Sequence, residues 1–206
     1  MATNILSVPF RRTRPVPLTE QLSSFISSSL DQHPQQFHDD LSTLSKSRTD
    51  ILTLDIHTTS LDRLLLYHSY LSSLATKLPL DVGVEFTWYP SLSPVAHIPI
   101  TQANLLFERL SVLYDVAAMY SQLATGQSRT TADSLKRACQ YFQLAAGTFD
   151  ALAKQTGELR LPPGVVVDDF AEATIQTLKF LMLAQAQECF WQKAVLGKRA
   201  LGDSGD

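Results

Sequence analysis

Phe180-Leu-Met-Leu-Ala-Gln-Ala-Gln-Glu-Cys-Phe190 is the stretch that decides the fold. Its first five residues, Phe180 to Ala184, are apolar without a break. A helix turns about 100° per residue, so such a run cannot lie on one stripe, and both sides of this helix must be covered. Working outward, helical spacing extends from about Asp168 to Val195, with Gly197 as the expected stop. Two further helices are predicted upstream. One runs from about Gln102 to Ala124, with Leu106, Leu110, Leu113, Ala117, Tyr120 and Leu123 on one side. The other runs from Thr131, a cap residue, to Thr156 before Gly157, with Leu135, Ala138, Phe142, Ala145, Phe149 and Leu152 aligned. Small residues such as Ala117, Ala118, Ala145, Ala146 and Ala186 permit close helix approach. Ala138-x3-Phe142 and Ala145-x3-Phe149 follow the small-then-aromatic packing of helical-hairpin repeats, although no fixed period emerges. The expectation is a mainly α, TPR-like helical-hairpin solenoid.

The N-terminal half adds shorter elements. Ile5-Leu-Ser-Val8, ended by Pro9, reads as an edge strand, and Arg11 to Pro17 as a basic connector. Leu18, Leu22, Phe25 and Ile26 predict a first helix that His33-Pro34 breaks, and Phe37, Leu41, Leu44 and Ile51 a second. A third starts at a Thr59 or Ser60 cap and carries Leu61, Leu64, Leu65, Leu71, Leu74 and Leu78, ending at Pro79. Alternation of Val84, Phe86 and Trp88 predicts a strand, and Pro90, Pro94 and Pro99 a loop after it.

Composition narrows the function. The chain has 206 residues, 45% apolar and 18% charged, with a net charge of -3. That balance excludes wholesale disorder and argues against nucleic acid, which calls for a basic patch. No apolar run approaches the roughly 20 residues of a membrane-spanning helix, and no apolar region of an export signal follows Arg11, Arg12 and Arg14, so the chain reads as cytoplasmic. Cys139 and Cys189 sit in helical segments as free, core-packed thiols. No G-x-S-x-G, Walker or G-x-G-x-x-G motif occurs, and the five histidines have no metal-ligand spacing, so neither a catalytic residue, a cofactor nor a metal is expected. Asp168 and Asp169 read as acids favouring a helix N-terminus. Arg11, Arg12 and Arg14 form the one basic cluster, a candidate contact for a membrane surface or acidic partner against a solvated connector.

Four stretches carry a resemblance. They are Ile5-Leu-Ser-Val-Pro-Phe-Arg-Arg12; Phe86-Thr-Trp88; Phe107-Glu108 with Val112-Leu-Tyr-Asp-Val-Ala-Ala-Met-Tyr-Ser-Gln-Leu-Ala124; and Leu181-Met-Leu-Ala-Gln-Ala-Gln-Glu-Cys-Phe190. In this order they resemble the BRO domain family of ALIX- and PalA-like ESCRT-associated scaffolds, most closely its PalA branch of fungal pH-response regulators. The resemblance implies a banana-shaped helical solenoid with a small antiparallel sheet and no enzyme. It implies binding of the C-terminal helix of the core ESCRT-III subunit on endosomes, with peripheral membrane association through partners. In the PalA branch it implies recruitment of a transcription factor and its protease through the full-length protein. Phe190 aligns with an exposed aromatic of the ESCRT-III groove, and Leu183 and Gln187, two turns and one turn back, are expected to border it. The family's domain is nearly twice as long, so residues 1–195 are expected to be its N-terminal portion and 196–206 a divergent, disordered tail. Such a chain would be a truncated or generic helical scaffold with impaired ESCRT-III binding if the missing helices are needed. Leu178, Leu181 and Phe190 are then expected on a bared apolar face. Tyr89-Pro-Ser-Leu92 also fits a Y-P-x-L ligand pattern, with Tyr89 expected to be packed and unavailable.

Overall fold

The computed structural model describes residues 5–30, 33–92 and 98–202. Six α-helices are described: α1 Leu18–Ser29, α2 His38–Asp50, α3 Thr58–Leu74, α4 Leu105–Thr125, α5 Ala132–Thr156 and α6 Glu172–Gly202. Strands β1 Arg12–Thr13, β2 Phe86–Tyr89 and β3 Ile100–Gln102 form one antiparallel sheet in the order β1-β2-β3. Arg12 pairs with Tyr89, and Thr87 with Thr101. The expected mainly α architecture with a small antiparallel sheet is what the chain adopts.

Neighbouring helices pack in chain order, α3 on α4, α4 on α5 and α5 on α6. The short connection between Thr125 and Ala132 holds α4 against α5, and Thr131 caps α5 there by accepting the Ser134 amide. Phe142, Phe149 and Leu152 of α5 are fully buried, each worth about 1.5–3 kcal/mol of transfer free energy. Helix α4 is enclosed almost all round, from Leu105 to Ala124. Its double-sided apolar pattern is the reason, and its few buried polar residues mark where other segments dock.

Several boundaries differ from the sequence reading. Ile5–Val8 forms no strand; β1 lies later, at Arg12–Thr13. Helix side chains take the role of a strand partner instead. Gln185 of α6 accepts the Leu6 amide at 2.7 Å and donates to the Leu6 carbonyl at 3.0 Å. On α4, Ser121 accepts the Val8 amide and Gln122 donates to the Val8 carbonyl. The segment is therefore extended because α4 and α6 satisfy its backbone. Ile100–Gln102 is a strand rather than loop or helix start, and Asn104 caps α4 by accepting the Leu106 and Phe107 amides. His57, not Thr59 or Ser60, caps α3, and Leu65 faces outward while Tyr67 is buried. Residues 93–97, within the expected proline loop, lie outside the described residues. Asp168–Phe170 is a separate 3-10 turn, and α6 continues past Gly197 to Gly202.

Candidate functional site

Polar chemistry concentrates where β1, β2 and the N-terminal segment meet α4. Glu108, fully buried, accepts from Tyr67 Oη at 3.0 Å and from Trp88 Nε1, and stands 3.0 Å from Arg48 Nε. Arg11 is buried beside it. Its Nε lies 3.2 Å from Asp169 Oδ2, outside hydrogen-bond alignment, and Nη2 has no partner among the described residues, while Nη1 donates to Ser111 Oγ at 2.9 Å. The rings of Phe170, Phe107 and Trp88 stand 4.6, 5.6 and 5.8 Å from the guanidinium. Compensation here is coulombic and π-facial rather than bidentate. Burial pulls the Arg11 pKa below its ordinary value, and Asp169 and Asp115 oppose that. Asp115 accepts the Arg11 amide at 2.8 Å, and burial pushes its carboxyl well above the usual range. These buried, mutually bonded groups form a structural clamp.

The clamp corrects two expectations. Arg11 is 2% exposed and cannot touch a membrane or an acidic partner, whereas Arg12 and Arg14 are exposed. Asp169 is no helix-dipole residue; it pairs with Arg11 and accepts the Ser91 and Leu92 amides. Those amides belong to the Tyr89-Pro-Ser-Leu92 stretch, whose Ser91 Oγ also bonds Tyr114 Oη at 2.7 Å. The Ser91 and Leu92 backbone of the Y-P-x-L pattern is thus bound into the fold, while Tyr89, expected to be packed, is half-exposed on the sheet and Leu92 is exposed.

The accessible candidate site is the outer face of α6. Phe190 is 71% exposed, Leu183 37%, and Gln187 is exposed between them. At 3.6 residues per turn, Leu183 and Phe190 fall within about 20° of each other, forming one ridge. Phe180 and Trp191, 61% and 62% exposed, form a second ridge on the same side, with Ala184 between them. Leu178, expected on this face, is buried, and Leu181 packs half-buried against the core. Cys189 is buried and Cys139 half-buried, and burial raises both thiols. Arg129 Nη1 lies 3.3 Å from Cys189 Sγ.

Lysines bracket the first ridge. Lys179 bonds Asp150 of α5 at 2.6 Å, and hydrogen bonds from Lys154 and Lys179 hold the Asp150 carboxyl down at about 2. Lys193, at the other end, is exposed and partly offsets the rise in the Cys139 pKa. The two lysines lie about 21 Å apart along the helix, roughly four turns. The expected residues Phe190, Leu183 and Gln187 lie together on this face, and Lys179, Lys193 and the Phe180–Trp191 ridge beside them were not singled out by the sequence. The spacing of Lys179 from Lys193 and of Phe180 from Trp191, each close to a whole number of helical turns, was the available signal. Among the described residues no group of three His, Cys, Asp or Glu could hold a metal ion, and no helix is long and apolar enough to cross a membrane.

A stack of antiparallel helices with an apolar ridge on its last described helix, and a polar clamp devoted to structure, defines a helical scaffold of the kind that binds other proteins. The BRO1-like domain profile matches residues 5–202, and the chain belongs to that family. Among curated relatives, the pH-response regulator protein palA/RIM20 of Emericella nidulans is 43% identical over 198 residues. That alignment covers 95% of this chain but 23% of the relative. The pH-response regulator protein palA/prr-1 of Neurospora crassa is 40% identical, covering 94% of this chain and 23% of its own. Of solved structures, the ALIX BRO1 CHMP4C complex superposes with a TM-score of 0.84 at 30% identity, covering 95% of this chain and 58% of that one. A structure describing endosomal targeting by the Bro1 domain superposes at 0.78 with 23% identity, a likeness of fold. The chain thus spans about a quarter of the length of the curated relatives it matches.

Proposed function

We propose that this chain is a non-enzymatic adaptor of the PalA type. Its Leu183–Gln187–Phe190 ridge receives the C-terminal amphipathic helix of the core ESCRT-III subunit, bringing it to endosomes during alkaline-pH signalling. The observation that carries the reading is Phe190, a large aromatic left 71% exposed in the middle of a regular helix. An apolar ridge of this kind fits helix-in-groove recognition, with exposed Lys193 at one end to meet an acidic residue flanking the partner's apolar stripe. The pH-response regulators of Emericella and Neurospora support the signalling role, and the ALIX complex with CHMP4C supports the partner class. A transcription factor and its protease would be engaged through the full-length protein.

Titration with a peptide of the ESCRT-III C-terminal helix tests this, using the fluorescence of Trp191, which flanks the ridge. Micromolar binding with a blue shift is expected. Phe190→Asp should weaken it by roughly ten- to a hundredfold, matching the about 1.5–3 kcal/mol of a buried phenylalanine, with unchanged circular dichroism because Phe190 supports no core. Equal affinity of parent and variant would overturn the site, and no binding by a folded parent would overturn the adaptor reading.

A further inference from the structure

The solvent face of the sheet carries a constellation that helix docking on α6 leaves unused. Register sets Arg12 opposite Tyr89, and the pleat sends Arg12, Arg14, Thr87, Tyr89 and Thr101 outward while Phe86 and Trp88 enter the core. Arg14 donates to Tyr89 Oη from Nε at 2.8 Å and from Nη2 at 2.5 Å. The Arg14 guanidinium lies 5.4 Å from the Tyr89 ring centroid, and that of Arg12 lies 5.8 Å from it. Both arginines are exposed, and among the described residues neither forms an ion pair. Two full charges therefore converge on a neutral phenol where a carboxylate would be the ordinary partner. Tyr89 Oη already accepts twice from Arg14, so its own O–H is left to donate to a ligand.

We propose that Arg12, Arg14 and Tyr89 form a clamp for one phosphate monoester, presented as phosphoserine or phosphothreonine on a partner peptide. The side chain of Arg12, Nη1 of Arg14 and the Tyr89 O–H supply the donors, and two positive charges match one phosphate dianion. A lipid surface is the poorer match. Basic segments that hold membranes bring about four to eight Lys/Arg, whereas this face brings two on a chain of net charge -3. The site lies on the sheet, away from α6, so it stands or falls independently of ESCRT-III binding.

The test uses the full chain, 15N-labelled at arginine, titrated with the pentapeptide Ala-Ala-phosphoserine-Ala-Ala and its unphosphorylated twin. The Nε–Hε resonances of Arg12 and Arg14 should move saturably with the phosphopeptide alone. Affinity should rise as pH climbs past about 6, where the monoester becomes a dianion. Arg12→Ala and Arg14→Ala should each weaken binding roughly tenfold, and Tyr89→Phe by less, through loss of one neutral donor. Arginine resonances that stay still, or binding that survives the double arginine variant, overturn the clamp. So does arginine-dependent flotation with phosphatidylserine vesicles by a chain that ignores the phosphopeptide, which would make the face a membrane contact.

Discussion

Arg11→Met is the perturbation on which the account of the interior depends most. Methionine keeps the unbranched stem of arginine and removes the charge. Asp169 then loses its ion-pair partner, Ser111 Oγ its donor, and the Phe170, Phe107 and Trp88 rings the cation they surround. Both side chains of the pair are fully buried, and orphaning one member of a buried pair costs about 3–5 kcal/mol. Against a typical total stability of about 5–15 kcal/mol, that is a large share. For a chain of this size each kcal/mol moves the melting temperature by about 2–4 °C, so a drop of about 6–20 °C is expected by circular dichroism. Removing Arg11 also removes a charge that draws the Asp115 pKa downward. That carboxyl then sits higher still, and the deficit of the variant should grow as pH rises. Arg12→Met is the control, because Arg12 is exposed one residue away and should change stability by no more than about 0.5 kcal/mol. If the two variants melt together, the clamp does not hold the N-terminal segment and the reasoning fails.

Two further outcomes follow from the same interior. Asp115 has a folded pKa raised by burial, so folding favours its protonated form. Its contribution is complete below the unfolded value of about 3.9 and is lost as pH rises through the folded value. Asp115→Asn, which keeps an acceptor for the Arg11 amide, should gain on the parent in urea melts as pH increases; parallel profiles would contradict this. Because burial raises both thiols, iodoacetamide near neutral pH should modify Cys139 slowly and Cys189 more slowly still, as followed by intact mass. Fast labelling of Cys189 in the folded chain would refute its placement.

The N-terminal segment shows what such a scaffold requires. Helices stacked in chain order make mostly local contacts, whereas Leu6 and Gln185, 179 positions apart, join the first described residues to the last helix. Val8 and Arg11 tie to α4 on the way. Gln185 sits within the same stretch as Leu183, Gln187 and Phe190 but points inward, at 5% exposure. One helix thereby anchors the segment with one face and offers the candidate ridge with the other.

The sequence by itself determined what depends on local periodicity. Apolar spacing located α1 to α6, alternation of Phe86 and Trp88 located β2, and Thr131 and Gly157 bounded α5, because helices and strands repeat every 3.6 and 2 residues whatever surrounds them. The unbroken run from Phe180 to Ala184 predicted a helix covered on both sides, but Phe180, Leu183 and Ala184 are exposed while Met182 is buried, so among the described residues only one side is covered. Tertiary structure alone decided the fates of Arg11, Arg12 and Arg14, which look equivalent in a row. The register of β1 on β2 turns Arg12 outward with Tyr89, while Arg11 enters a cage made by residues roughly a hundred positions and more away. It also decided that Ile5–Val8 would bond to helix side chains rather than to a strand. Periodicity is carried by neighbours along the chain, but burial of a charge is settled by whether a distant carboxylate and aromatic faces arrive to compensate its desolvation.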